Sequence, residues 1–283
     1  MPGISEDSVR RVPHDGDVAR PDDAHVLDGI RSLHDRLDDL ERLVAQRLAA
    51  EGRHPPGLVH EHHQLPAWCR PTKGETRWTV AAVTTIAIAL QIAVPGRLVL
   101  VRPAWILPAA QGLLLIVLMV SNPHRINQQS GMRRTLGFAL AALLSLANGW
   151  SVAWLAIGIV QGSLGKTAGP LLITGSAIWL TNVIAFALWY WELDRGGPAA
   201  RALALRPYPE FQFVQMVTPQ MAPPNWEPTF ADYLYLAFTN AAAFSPTDVM
   251  PLSRWAKMAM TIQSVISIVT VALVVARAVN ILQ

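Results

Sequence analysis

The stretch Asp232-Tyr-Leu-Tyr-Leu-Ala-Phe-Thr-Asn-Ala-Ala-Ala-Phe-Ser-Pro-Thr-Asp248 runs into Val-Met-Pro251-Leu-Ser-Arg-Trp-Ala-Lys257 and then an apolar run to about Asn280. A short apolar helix thus leads through a tight polar loop into a long apolar helix. Crossing a bilayer takes about 20 helical residues, and segment 231–243 falls short of that. It is also too apolar for a solvated loop. A re-entrant helix buried among other helices satisfies both facts. Irregular backbone at membrane depth must be covered by protein or face a water-filled cavity.

The rest of the chain supplies the membrane. Of its 283 residues, 52% are hydrophobic and 15% are charged, against about 25% charged in an average globular protein. The charges gather in residues 1–77, and the remainder consists mainly of apolar blocks joined by short basic loops. This pattern predicts an all-α, polytopic protein of the cell membrane, with the lipid bilayer as its partner and no nucleic acid. The net charge of +3 reflects loop topology. A single cysteine, Cys69, excludes an intrachain disulfide framework. The first 20 residues lack the apolar core of a signal peptide.

In chain order, residues 1–22 read as a disordered tail, polar and without periodicity. Residues 23–50 form an amphipathic helix. Val26, Ile30, Leu33, Leu37, Leu40 and Val44 alternate at spacings of four and three, a heptad seam suited to self-association as a coiled coil. The same face also suits docking on the chain itself or on a membrane surface. Residues 51–77 are a linker rich in Pro and His. His60, His62, His63 and Cys69 lack a second ligand cluster, so no metal site is expected. Four spans then occupy 78–191, at about 78–94, 104–120, 135–160 and 170–191. The fourth ends in Trp189-Tyr190-Trp191, aromatics of the kind that mark the membrane boundary. Residues 192–230, rich in Pro and aromatics, read as an interfacial loop packed over the re-entrant segment. That segment and a fifth span complete residues 231–283.

Over residues 231–280 the layout resembles the pore module of the potassium-channel superfamily. Ala243, Phe244, Ser245, Pro246, Thr247 and Asp248 stand where those channels carry the filter T-V-G-Y-G-D. Pro251, Ser253, Trp255, Ala256 and Lys257 match their P-x-T-x-W-G-R run in kind, and Ser267 falls near their inner-helix hinge. The resemblance implies a homotetramer around a central pore. It departs at the filter, where both glycines are absent and proline replaces tyrosine. The whole chain is also similar to a family of bacterial membrane proteins carrying W-E-L-D-R-G-G and F-S-P-T-D, a likeness that implies no activity.

The residue chemistry sharpens this. Stacked carbonyl sites need backbone angles that glycine adopts cheaply. Pro246 instead fixes its own φ and keeps Ser245 extended. There remain the hydroxyls of Ser245, Thr247 and the deeper Thr239, the Asn240 amide and the Asp248 carboxylate. Acid rings favour cations, so a cation pore without potassium selectivity is expected, with monovalent cations as permeant ions and no cofactor. Thr247 or Asp248 also suits capping of the last helix. On that helix Gln263, Ser267, Thr270 and Val274 share one face. Such a stripe either lines a pore or makes interhelical hydrogen bonds. Glu192, Asp194 and Arg195 suggest an interfacial salt bridge or loop anchor. No catalytic motif stands out, so an enzyme is not expected.

Orientation remains open in one respect. A potassium-channel orientation, with the C-terminus inside, leaves Arg70, Lys73, Arg77, Arg125, Arg133, Arg134, Arg195, Arg201 and Arg206 outside. Only Arg97, Arg102, Lys166 and Arg277 would lie inside. Basic loops favour the cytoplasm, which predicts a cytoplasmic N-terminus. Either the pore loop enters from the cytoplasm, as in glutamate-receptor channels, or residues 229–246 cross fully. The functional expectation is an oligomeric, channel-like protein. The alternatives are a small-solute or proton-coupled transporter and a non-conducting scaffold.

Overall fold

The computed structural model describes residues 66–121, 131–164, 167–245 and 248–282, together with Arg36 and Leu40. The chain divides into two units, Met1–Gln64 and Leu65–Gln283. In the first, Arg36 and Leu40 are helical and exposed. The other seam positions, Val26, Ile30, Leu33, Leu37 and Val44, lie outside the described residues. So do the tail and the histidines of the linker.

The second unit is mostly helical. Its principal helices are α1 (Arg77–Ala93), α2 (Ile106–Ser121), α3 (Gly131–Val160), α4 (Ala168–Leu193), α5 (Phe230–Ala243) and α6 (Arg254–Leu282). Three segments are long and apolar enough to cross a membrane: Gly131–Val160, Ala168–Gly196 and Arg254–Leu282. Helices α1 and α2 are also apolar, at 17 and 16 residues.

α4 is the hub, packing on α1, α3, α5 and α6. Its apolar window is 67% buried, against 22% for α6. A helix apolar on every side belongs inside, and the α4 sequence LLITGSAIWLTNVIAFALWYW is of that kind. α6 has the reverse distribution. Its polar stripe points inward, while Met258, Ile262, Val265, Ile268, Val275 and Val279 are exposed. This is the expected arrangement in a lipid-facing helix, where polar side chains seek the protein interior.

The α4–α6 contact rests on a glycine. A Cβ at Gly175 would lie 2.7 Å from Val274 Cγ2. Small residues at such crossings let helices approach closely. Gly175→Ala is therefore expected to destabilise the protein by about 1–3 kcal/mol through overpacking. Adding Val274→Ala should recover part of that loss, both being read as melting temperatures in detergent.

Candidate functional site

The candidate site is built from the segment after α4, the helix α5, the turn beyond it and the first turns of α6. Its foundation is a buried polar bracket. Arg195, Gly196 and Gly197 all take positive φ (50°, 80° and 99°) and turn the chain back over the end of α4. A Cβ at Gly197 would sit 3.0 Å from the Glu192 carbonyl oxygen. With the chain so turned, Asp194 is fully buried and accepts from two directions. The Glu210 N–H donates to Oδ1 at 2.8 Å, and the Tyr233 hydroxyl donates to Oδ2 at 2.5 Å.

Two arginines complete the bracket. Arg201 donates through Nη1 to the carbonyls of Trp191 (2.6 Å) and Asp194 (2.9 Å), and its guanidinium lies over the Tyr233 ring at 4.9 Å. Arg195 donates to the carbonyls of Trp68 and Arg206, while its own N–H donates to the Glu210 carboxylate. Buried charge of this kind is tolerated only when paired and hydrogen-bonded. Of the two readings for Glu192, Asp194 and Arg195, the Asp194 and Arg195 contacts match loop anchoring.

α5 starts on a capping box. The Thr229 N–H and hydroxyl both donate to Asp232 Oδ2 at 2.8 Å. Glu75, from the segment before α1, accepts from the Phe230 N–H at 2.7 Å and from Trp191 Nε1 at 2.9 Å. Both contacts satisfy donors that would otherwise be orphaned at the helix start or in the apolar boundary.

The depth of α5 is set by its neighbours. Phe211 packs edge-on against both Tyr233 in the first turn of α5 and Trp255 in the first turn of α6. Phe211 also pairs with Pro251 in a two-residue antiparallel ladder, Phe211–Gln212 with Met250–Pro251. The two helices therefore start at the same end of the bundle. From Tyr233 to Ala243, α5 advances about 15 Å. Phe244 ends it with a left-handed residue, φ 56° and ψ 22°. By Met250–Pro251 the chain is back beside Phe211. α5 therefore runs away from that end of the bundle, and α6 begins back at it.

The predicted site residues divide between two environments. Ala243, Phe244, Ser245 and Asp248 are exposed along the turn and return. Pro246 and Thr247 lie outside the described residues. The stripe on α6 is a correction to pore lining. Gln263, Ser267, Thr270 and Val274 are all buried inside this one chain. Gln263 Oε1 accepts from the Tyr190 hydroxyl (2.6 Å) and Asn240 Nδ2 (2.7 Å), while its Nε2 donates to the Ala237 carbonyl (2.8 Å). Asn182 Nδ2 donates to Ser267 Oγ at 3.2 Å. Gln263 and Ser267 are interhelical glue, while Thr270 returns its hydroxyl to the Ile266 carbonyl of its own helix; the energetic reason is that an unsatisfied polar group in an apolar bundle is costly.

The same applies to the helix residues. Asn240 is buried in this clasp, and Thr239 returns its hydroxyl to the α5 carbonyls of Tyr235 and Leu236. Capping of α6 is also reassigned. Ser253 Oγ accepts from the Ala256 N–H at 3.3 Å, which makes Ser253 the capping residue. Among the described residues no His, Cys, Asp and Glu cluster suited to a metal is present.

Sequence reasoning missed Glu75, Glu210, Tyr190, Tyr233 and Arg201. Each acts across a separation in sequence, and none belongs to a recognisable spacing. Comparison of the chain with protein-family models, with curated proteins and with solved structures finds no match.

Gln263→Leu should strand the Tyr190 hydroxyl and the Asn240 amide, costing about 1–3 kcal/mol for each group. Val265→Leu, on the exposed face, should leave the melting temperature nearly unchanged. Burial raises the Glu75 carboxyl above its ordinary range, with the Phe230 and Trp191 N–H groups acting in the opposite direction. The unfolded chain then releases this proton first as pH rises. The stabilising contribution is full below the ordinary carboxylate pKa and is lost as pH rises through the folded value. Melting temperatures across the acid-to-neutral range should show a decline that is smaller in Glu75→Gln.

Proposed function

We propose that the protein is a subunit of an oligomeric membrane pore that passes small cations without potassium selectivity. The re-entrant hairpin α5–turn–α6 is its narrowest part. The observation that carries this reading is the common end at which α5 and α6 begin, with an exposed turn between them. The end of α5, residues 243–245, then lies at membrane depth, and exposed backbone there meets water or a neighbouring subunit. The C-terminal end of α5 directs its partial negative charge toward the turn, and Asp248 adds a carboxylate. Both favour cations.

In this reading α1 and α2 also cross, giving five spans. They are about 25 Å long, and Trp78 and Trp105 are exposed at opposite ends of the pair, as interfacial anchors are. Short spans are accommodated by local thinning of the bilayer. The N-terminal segment of the second unit, the loop after α4 and the start of the hairpin share one end of the bundle, since Thr72 donates to Glu227 and Glu75 receives Phe230. That end carries Arg70, Lys73, Arg77, Arg133, Arg134, Arg195, Arg201 and Arg206. The hairpin accordingly enters from the cytoplasm, in the plasma membrane, with the N-terminus on the same side. Four subunits around one axis, helped by the heptad seam of residues 26–44, match the potassium-channel resemblance. The second reading, a non-conducting scaffold, draws on the aliphatic exposed positions of α6 between 262 and 279.

Reversal potentials in planar bilayers discriminate between them. Cation-selective current that falls several-fold in Asp248→Asn is expected. Anion selectivity, or no current from intact oligomers, sinks the pore. In a Cys69→Ser background, Ser245→Cys should react with a membrane-impermeant maleimide applied from the cytoplasmic face and resist it from the outer face.

A further inference from the structure

We infer that a cleft separate from the hairpin binds the phosphate headgroup of an anionic lipid. The cleft has a volume of about 80 Å³ and lies where the first turns of α1 and α3 meet the last turns of α2 and α4. Arg77, Arg133 and Arg134 line it, and Glu192 is the one acid among its lining residues. Three guanidinium groups thus face one carboxylate. The Nε donors of Arg77 and Arg134 are buried and have no hydrogen-bond acceptor among the described residues. Arg77 is held by donating Nη1 to the Leu118 carbonyl at 2.8 Å, and Arg134 lies over the Phe138 ring at 5.2 Å. A buried charged donor left unpaired costs more than a neutral one, so the cleft favours an incoming anion with several acceptor oxygens. Guanidinium and phosphate are matched in geometry as well as charge.

The walls name the rest of the ligand. Leu115 and Leu118 line the same cleft on α2. Charge sits at the helix ends, and the apolar wall lies along them toward the membrane interior. A free phosphate satisfies only the first part, whereas a lipid satisfies both. Basic pockets between membrane helices at the cytoplasmic boundary take anionic headgroups by this logic. The site does not depend on the pore reading.

The test uses the full chain, delipidated in detergent and titrated with phosphatidylglycerol, phosphatidylcholine or inorganic phosphate. Bound lipid is counted by native mass spectrometry, and melting temperature is followed alongside. Phosphatidylglycerol should bind at least tenfold more tightly than phosphatidylcholine and should resist millimolar inorganic phosphate. The double substitution Arg133→Gln with Arg134→Gln should weaken phosphatidylglycerol about tenfold, and Arg254→Gln, an exposed arginine outside the cleft, should not. Glu192→Gln, which removes the opposing carboxylate, should tighten binding several-fold, a gain that loss of structure does not produce. Equal binding of the two lipids overturns the inference, as does failure of Glu192→Gln to tighten phosphatidylglycerol. Displacement by inorganic phosphate overturns the lipid assignment in favour of a soluble phosphate compound.

Discussion

The side chain of Gln263 joins three helices at once. Its carbonyl oxygen receives Tyr190 from α4 and Asn240 from α5, and its amide reaches back to the Ala237 carbonyl. It is fully buried. In an apolar bundle there is little hydrophobic force between helices, so hydrogen bonds and close packing hold them. The clasp is therefore what keeps a 14-residue helix, too short to span, at a defined depth beside α4 and α6. The position of Phe244, which ends α5, depends on that placement.

The clasp works because the other end of α5 is also held. Asp194 and Arg201 place their charges under Tyr233, and Glu75 closes on the first helical N–H. Buried charge is expensive, and removing one partner leaves the other uncompensated. The bracket therefore sets the start of α5 firmly, while the Gln263 clasp sets its inner end. Between them, Phe211 touches Tyr190, Tyr233 and Trp255 and couples the overlying loop to both helices. The loop after α4 is thus packed over the starts of α5 and α6 rather than a solvated connection.

Helix α6 shows how burial divides labour on one element. Its inward face carries Gln263, Ser267 and Thr270, satisfied within the chain, and its exposed positions between 262 and 279 are aliphatic. An amphipathic pattern on a membrane helix does not say which face meets water, because lipid and protein interior are both apolar surroundings. The polar stripe Gln263–Ser267–Thr270 is accordingly compatible with two environments when read alone. Only the positions of Asn182, Tyr190 and Asn240, supplied by other helices, decide between them.

Much was legible before any coordinates. Apolar blocks located every principal helix of the second unit, and length with apolarity marks the three that can cross a membrane. The burial of Asp194 and Arg201, the grip of Glu75 on Phe230 and the inward turn of Gln263 were not legible. Each joins residues from separate segments of the chain, and no local spacing encodes such a meeting. The sequence by itself determined which segments form the principal helices of the second unit and that one of them is too short to cross. The tertiary structure alone decided which face of α6 is inside and that α5 and α6 start at the same end. Those two facts depend on which helices become neighbours, and packing rather than local chemistry settles that.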